Sequence, residues 1–88
     1  MKKNALAAKV LGSTLREIRL VKRMSQEEVA LEAGIDRTFL TRVENGQLSP
    51  SFDSLLAIAS ALGVSLTQLS RKFEDNMGKP GHEKSTAE

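Results

Sequence analysis

The chain's 88 residues leave room for one domain, and a chain this short buries little more than ~60% of its unfolded surface, so a second copy would add useful stability. The absence of cysteine excludes disulfide staples and thiolate metal sites and suits a reducing cytoplasm. Thirteen Lys and Arg against eleven Asp and Glu leave a net charge of +2, too even a balance to argue by itself for a nucleic-acid partner.

Taken in chain order, every periodic segment reads as helix, because apolar residues recur at spacings of three and four and no run alternates in twos. The first helix is expected over residues 8–23, with Leu11, Leu15 and Ile18 on one stripe and Met24 filling the junction that follows. Ser25 opens a Ser-Gln-Glu-Glu capping box, in which its hydroxyl accepts from the Glu28 amide while the Glu28 carboxylate reaches back. A second helix therefore starts at Gln26. It must stop near Ala33, because Gly34 takes the left-handed conformation at no steric cost.

Asp36 is the expected cap of a third helix over residues 37–45, which buries Leu40 and Val43 and ends at Gly46. In the polar loop 47–51, Pro50 forbids continuation and Ser51 offers a new cap. A fourth helix, residues 52–62, carries the stripe Leu55, Ile58, Ala59 and Leu62. Gly63 closes it, and Ser65 caps a short fifth helix from Leu66 to about Phe73. The fold class is all-α, with five helices.

Residues 1–7 are expected to be a flexible N-terminal segment, 8–74 the folded domain and 75–88 a disordered polar tail, whose composition buries too little apolar area to offset the entropy of ordering. His82, the only histidine, has no second ligand nearby and reads as a solvated tail residue, so no metal or other cofactor is expected. The stretch from Met1 to Leu11 has neither a continuous apolar run of signal length nor a small-residue cleavage pattern, and no segment approaches the ~20 apolar residues of a membrane span. A cytoplasmic location and no membrane partner are expected. Without a phosphate-cradling Gly-rich loop or a carboxylate pair in a cleft, the chain is not expected to be an enzyme.

The middle of the chain carries the functional signal. Presenting one helix to a DNA major groove while another braces it requires two closely crossing helices. Ala30 supplies a small side chain at the crossing, Gly34 the sharp turn and Ile35 a plug between the two. Val29, Leu40 and Val43 point into the shared core, which leaves Arg37, Thr38, Thr41 and Arg42 on the exposed face of the third helix. Lys22 and Arg23 join Arg37 and Arg42 in flanking this unit, the concentration of charge expected of a phosphate-binding face.

The run SQEEVALEAGIDRTFLTRVENGQLSPSFDSLLAIASALGVSLTQL resembles the phage repressor and Cro family of helix-turn-helix domains, also called the xenobiotic-response-element family. The likeness spans about Leu11 to Phe73 and implies a compact, lambda-repressor-like DNA-binding domain. Within the family, the small size and the Asp-Arg-Thr-Phe-Leu start of the third helix look most like the controller proteins of restriction-modification systems, and short repressors and antitoxins look similar.

The resemblance implies roles for individual residues. Gln26 would hydrogen-bond a phosphate and buttress the recognition helix; the other reading is ordinary helix-start polarity. Arg37 and Arg42 are the candidate base readers, because a guanidinium engages guanine O6 and N7 bidentately, and either could hold a phosphate instead. Thr38 and Thr41 would reach base edges or a thymine methyl. Asn45 would hold a phosphate at the carboxyl end of the third helix, where helix capping is the alternative. Phe39 packs on the second helix or stacks on the sugar-phosphate chain, with packing favoured. Arg19 and Glu44 are expected to form a largely buried ion pair between the first and third helices.

One recognition helix reads only a few base pairs, so a symmetric homodimer on a pseudo-palindromic, double-stranded DNA operator is expected. Val64, Leu66 and Phe73 are assigned to its interface, and Leu62 and Leu69 to the core. Operator occupancy would block RNA polymerase or recruit it through Glu27, Glu28 and Glu32, for which surface solubility is the other reading. An antitoxin or protein-interaction module on the same fold is the alternative function. Salt separates the two, since phosphate binding weakens steeply as ionic strength rises and a hydrophobic protein contact does not.

Overall fold

Five helices follow one another along the chain: α1 Ala5–Val21, α2 Gln26–Ala33, α3 Arg37–Glu44, α4 Phe52–Leu62 and α5 Leu66–Met77. The structure is a computed structural model that describes residues 5–78. Among the described residues there is no strand, and no single helix is long and apolar enough to cross a membrane. α1 packs against α3 and α5, and α2 packs against α3 and α4. Leu15, Val29, Leu40, Val43, Ile58, Leu62 and Leu69 form the buried centre they share.

The capping signals are realised as local hydrogen bonds. Ser25 and Glu28 make the reciprocal box at the start of α2, with Oγ accepting from the Glu28 amide at 3.0 Å and the Glu28 carboxylate accepting from the Ser25 amide at 2.8 Å. Ser65 and Gln68 make a second such box at α5, and Ser51 Oγ accepts from the Ser54 amide at α4. Asp36 departs from expectation. Its backbone has the extended geometry of an N-cap, but its side chain makes no capping bond. Gly34 stands at φ +71°, where its amide donates to Leu31 and the Ile35 amide donates to Ala30, closing α2 within one residue.

The ends of the domain differ most from the sequence reading. α1 begins at Ala5, before the expected residue 8, and its regular turns stop at Val21. Arg23 then takes a left-handed conformation, φ +59°, with its amide on the Leu20 carbonyl and the Met24 amide on the Arg19 carbonyl. This is the glycine-type helix stop made by an arginine. At the other end α5 continues past Phe73 to Met77, across the boundary expected at residue 74. Its last turn is held by Asn76, a buried side chain whose amide donates to Thr14 Oγ1 at 2.8 Å and to Glu17 Oε1 at 3.3 Å. Thr14 is itself buried and donates to the Val10 carbonyl at 2.7 Å, so each polar group finds a partner and the polar composition of this turn does not prevent its ordering. The remainder of the expected tail, with His82, lies outside the described residues.

α1 can lie directly on the end of α3 because position 12 has no side chain. A methyl group at Gly12 would stand 2.6 Å from the Glu44 carbonyl oxygen and closer still to that of Val43. Gly12 thus brings Arg19, two turns further along the same seam, within reach of Glu44.

A candidate DNA interface on the third helix

The outer face of α3 is made by what its inner face buries. Leu40 and Val43 are sealed in the core, three residues apart, and the helical period turns Arg37, Thr38 and Arg42 to solvent, all three exposed. Phe39 is half-buried and packs against the core, as favoured. Ala30 is buried at the crossing of α2 and α3, and Ile35 is half-buried against the core beside it.

A buried polar cluster fixes the angle at which α3 is presented. Arg19 engages Glu44 bidentately, Nε to Oε2 at 2.7 Å and Nη2 to Oε1 at 2.9 Å, and both side chains are buried. The third guanidinium nitrogen, Nη1, donates to the Met24 carbonyl in the α1–α2 turn at 2.9 Å. Gln26, the first residue of α2, donates from Nε2 to Glu44 Oε1 at 2.9 Å. Thr41 Oγ1 lies 2.8 Å from Gln26 Oε1 and 3.0 Å from the Arg37 carbonyl, in donor range of both. Charges removed from water are tolerable only with such complete pairing. Among the described residues no buried side-chain nitrogen or oxygen lacks a hydrogen-bond partner.

The expected ion pair is therefore present, and Gln26 is hydrogen-bonded to both Glu44 and Thr41 of α3. Thr41 stands apart from the other three residues expected to read bases: it is half-buried and its hydroxyl belongs to the joint between α2 and α3. Sequence reasoning did not find that bond, since it depends on the crossing angle of the two helices. A recess of about 280 Å³ opens beside the joint, lined by Arg19, Ser25, Gln26, Glu27 and Arg37. It gathers Gln26 and Arg37 at the amino end of α2. Glu27 Oε2 lies 3.7 Å from Arg37 Nη1 across exposed surface, a contact of little energetic weight.

Asn45 and Arg23 are exposed, Asn45 as the residue that closes α3 and Arg23 in the α1–α2 turn. Lys22 is placed elsewhere. Its Nζ would stand 3.7 Å from a methyl group on Gly63, at the carboxyl end of α4, where the helix dipole favours a cation.

Away from α3, two of the three residues assigned to a partner surface, Leu66 and Phe73, border an apolar groove of about 220 Å³, whose walls also include Leu11, Leu55 and Leu69. Leu66 is 36% exposed, Val64 and Phe73 are half-buried, and Leu62 and Leu69 are in the core as expected. Phe52, 61% exposed, and Leu56, 39% exposed, add apolar surface on α4 that the sequence reading did not single out. Their signal was the i, i+4 spacing outside the Leu55, Ile58, Leu62 stripe.

Comparison with known proteins agrees with this geometry. Residues 15–69 match a helix-turn-helix family. Control protein C.BamHI of Bacillus amyloliquefaciens is 41% identical over 56 residues, which cover 62% of this chain and 69% of that protein. The crystal structure of the restriction-modification controller protein C.AhdI from Aeromonas hydrophila superposes with a TM-score of 0.68 at 37% identity, covering 70% of this chain and 94% of that one. The wild-type restriction-modification controller protein C.Esp1396I superposes with a TM-score of 0.78 at 28% identity, covering 88% and 97%. The chain belongs to the Cro/C1-type helix-turn-helix family of DNA-binding transcriptional regulators.

Proposed function

We propose that this regulator binds a pseudo-palindromic operator as a homodimer, each protomer laying α3 in a major groove about one helical turn, ~34 Å, from its partner's. The observation that carries the reading is the pairing of two faces on one short helix: Arg37, Thr38 and Arg42 open to solvent, Leu40 and Val43 sealed beneath them. Arg37 and Arg42 are assigned to base edges, where one bidentate contact to guanine contributes ~1–3 kcal/mol of discrimination. Thr38 is assigned to a neighbouring base or thymine methyl. Thr41 is assigned to holding Gln26, which has used one of its two side-chain N–H groups on Glu44 and can offer the second to a phosphate. Arg23 and Asn45 are assigned to phosphates on either side.

The dimer surface is assigned to Val64, Leu66 and Phe73, of which Leu66 and Phe73 line the groove between α1, α4 and α5, together with the exposed Phe52 and Leu56 of α4. A role in restriction-modification control is supported by the likeness to controller proteins. RNA polymerase is a second partner that one observation favours, since Leu31 on α2 is 84% exposed beside Glu32. Of the other two acids, Glu28 caps its helix and Glu27 neighbours Arg37, so Glu32 and Leu31 are the groups left to meet a polymerase.

Selection of duplexes from a random pool at low ionic strength tests the main proposal. It should return a sequence with two related half-sites, and Arg42→Ala should relax the preference at one base pair of each half-site. Failure to select any duplex removes the DNA assignment, and an unchanged preference in the variant removes Arg42 as a reader.

A further inference from the structure

Lys9, on α1, is far in sequence from the recognition helix and meets its end in space. A methyl group placed on Gly46 would lie 2.9 Å from Lys9 Cα and 2.8 Å from Lys9 Cγ, so the backbone of α1 passes directly against the glycine that follows Asn45. Gly46 itself has φ +74°, a conformation that strains other residues, and it leaves no room for a side chain between α3 and Lys9. Lys9 is exposed and makes no ion pair among the described residues.

Helical periodicity fixes which way this part of α1 faces. Gly12 and Arg19, seven residues apart, meet α3, and Leu11, Leu15 and Ile18 pack toward the core. Lys9, Ser13 and Arg16 fall on the exposed side of the same seam, and all three are exposed. Across the seam Asn45, which closes α3 and precedes Gly46, is exposed. The exposed side of α1 therefore adjoins Asn45 at the carboxyl end of α3.

We propose that the DNA footprint extends from α3 onto α1, with Lys9 binding the backbone phosphate next to the one assigned to Asn45. The assignment rests on the operator-binding reading above and adds a residue and an element to it. Lys9 is a point charge on a flexible stem, suited to a phosphate rather than to a base edge. Because Gly46 holds its backbone, its position is tied to that of the recognition helix.

The test uses the full chain and a duplex selected by the wild type, with binding followed across a range of salt concentrations. Each phosphate neutralised on B-DNA adds about 0.9 to the slope of log K against log salt. Lys9→Gln should lower that slope by about 0.9 and weaken binding severalfold at moderate salt, while Lys9→Arg restores both and the base preference stays unchanged. An unaltered slope in Lys9→Gln overturns the assignment. So does a weaker affinity with an unaltered slope and a lowered melting temperature, which would make Lys9 a cation serving the α3 dipole. If the wild type selects no duplex, the operator-binding reading fails first and Lys9 with it; if the wild type binds and the variant matches it, Lys9 alone fails.

Discussion

The joint between α1, α2 and α3 and the groove between α1, α4 and α5 are opposite solutions to the same shortage of core. The joint is polar and complete: Arg19, Glu44, Gln26 and Thr41 pair with one another and with the Met24 carbonyl. The groove is apolar and open, with Leu66 on its wall presented to water. A finished polar cluster fixes one geometry, because any shift strands a charge. An unfinished apolar surface gains from whatever covers it. The first is suited to holding a reading head and the second to receiving a partner.

Glu44→Ala should break this contrast most severely. It leaves the buried Arg19 guanidinium without its carboxylate, a loss of ~3–5 kcal/mol, a large share of the stability of a domain this size. Thermal unfolding should show the variant largely unfolded at moderate temperature; native melting would show that the joint carries little of the fold.

Leu66→Arg acts on the open side. Association should weaken by at least ~2 kcal/mol, as for a buried interface anchor, and sedimentation should find monomer at concentrations where the proposed wild-type dimer forms. The helical spectrum should persist, because Leu66 lies outside the buried core. An undiminished dimer takes Leu66 out of the interface.

Arg23→Gly gives the smallest effect and sharpens the contrast by separating stability from contact. The left-handed backbone at Arg23 suits glycine, and the relief of strain, offset by glycine's greater freedom when unfolded, leaves a net gain of at most ~1 kcal/mol. The melting temperature should hold or rise slightly while the salt slope of DNA binding falls by about 0.9. A drop in stability would mean that the arginine side chain supports the turn.

The fold was legible wherever local chemistry decides it. Ser25 with Glu28, Gly34 and Gly63 mark helix ends by bonds within a few residues, and the stripes of α3 and α4 follow from period alone. The end of α5 was not legible by composition, because Asn76 is ordered by Thr14, 62 residues away. A signal existed: Asn76 lies three residues after Phe73 and seven after Leu69, on the stripe the helix already buries. In the candidate site the exposed arginines and the Arg19–Glu44 pair were foreseen, the pair through family likeness. The placement of Lys22 beside Gly63 and of Lys9 beside Gly46 depends on how whole helices meet, which no local spacing records.

The joint beneath α3 grips Glu44 and Thr41, the core seals Leu40 and Val43, and the side chains of Arg37, Thr38 and Arg42 stay out of the joint's bonds. Foundation and lettering are thus separate parts of one eight-residue helix. On the base-reading assignment proposed above, the three outward positions can be rewritten while the frame stands, so drift at those sites alone would let a lineage of such regulators acquire new operators, and a designer could retarget this one by the same route.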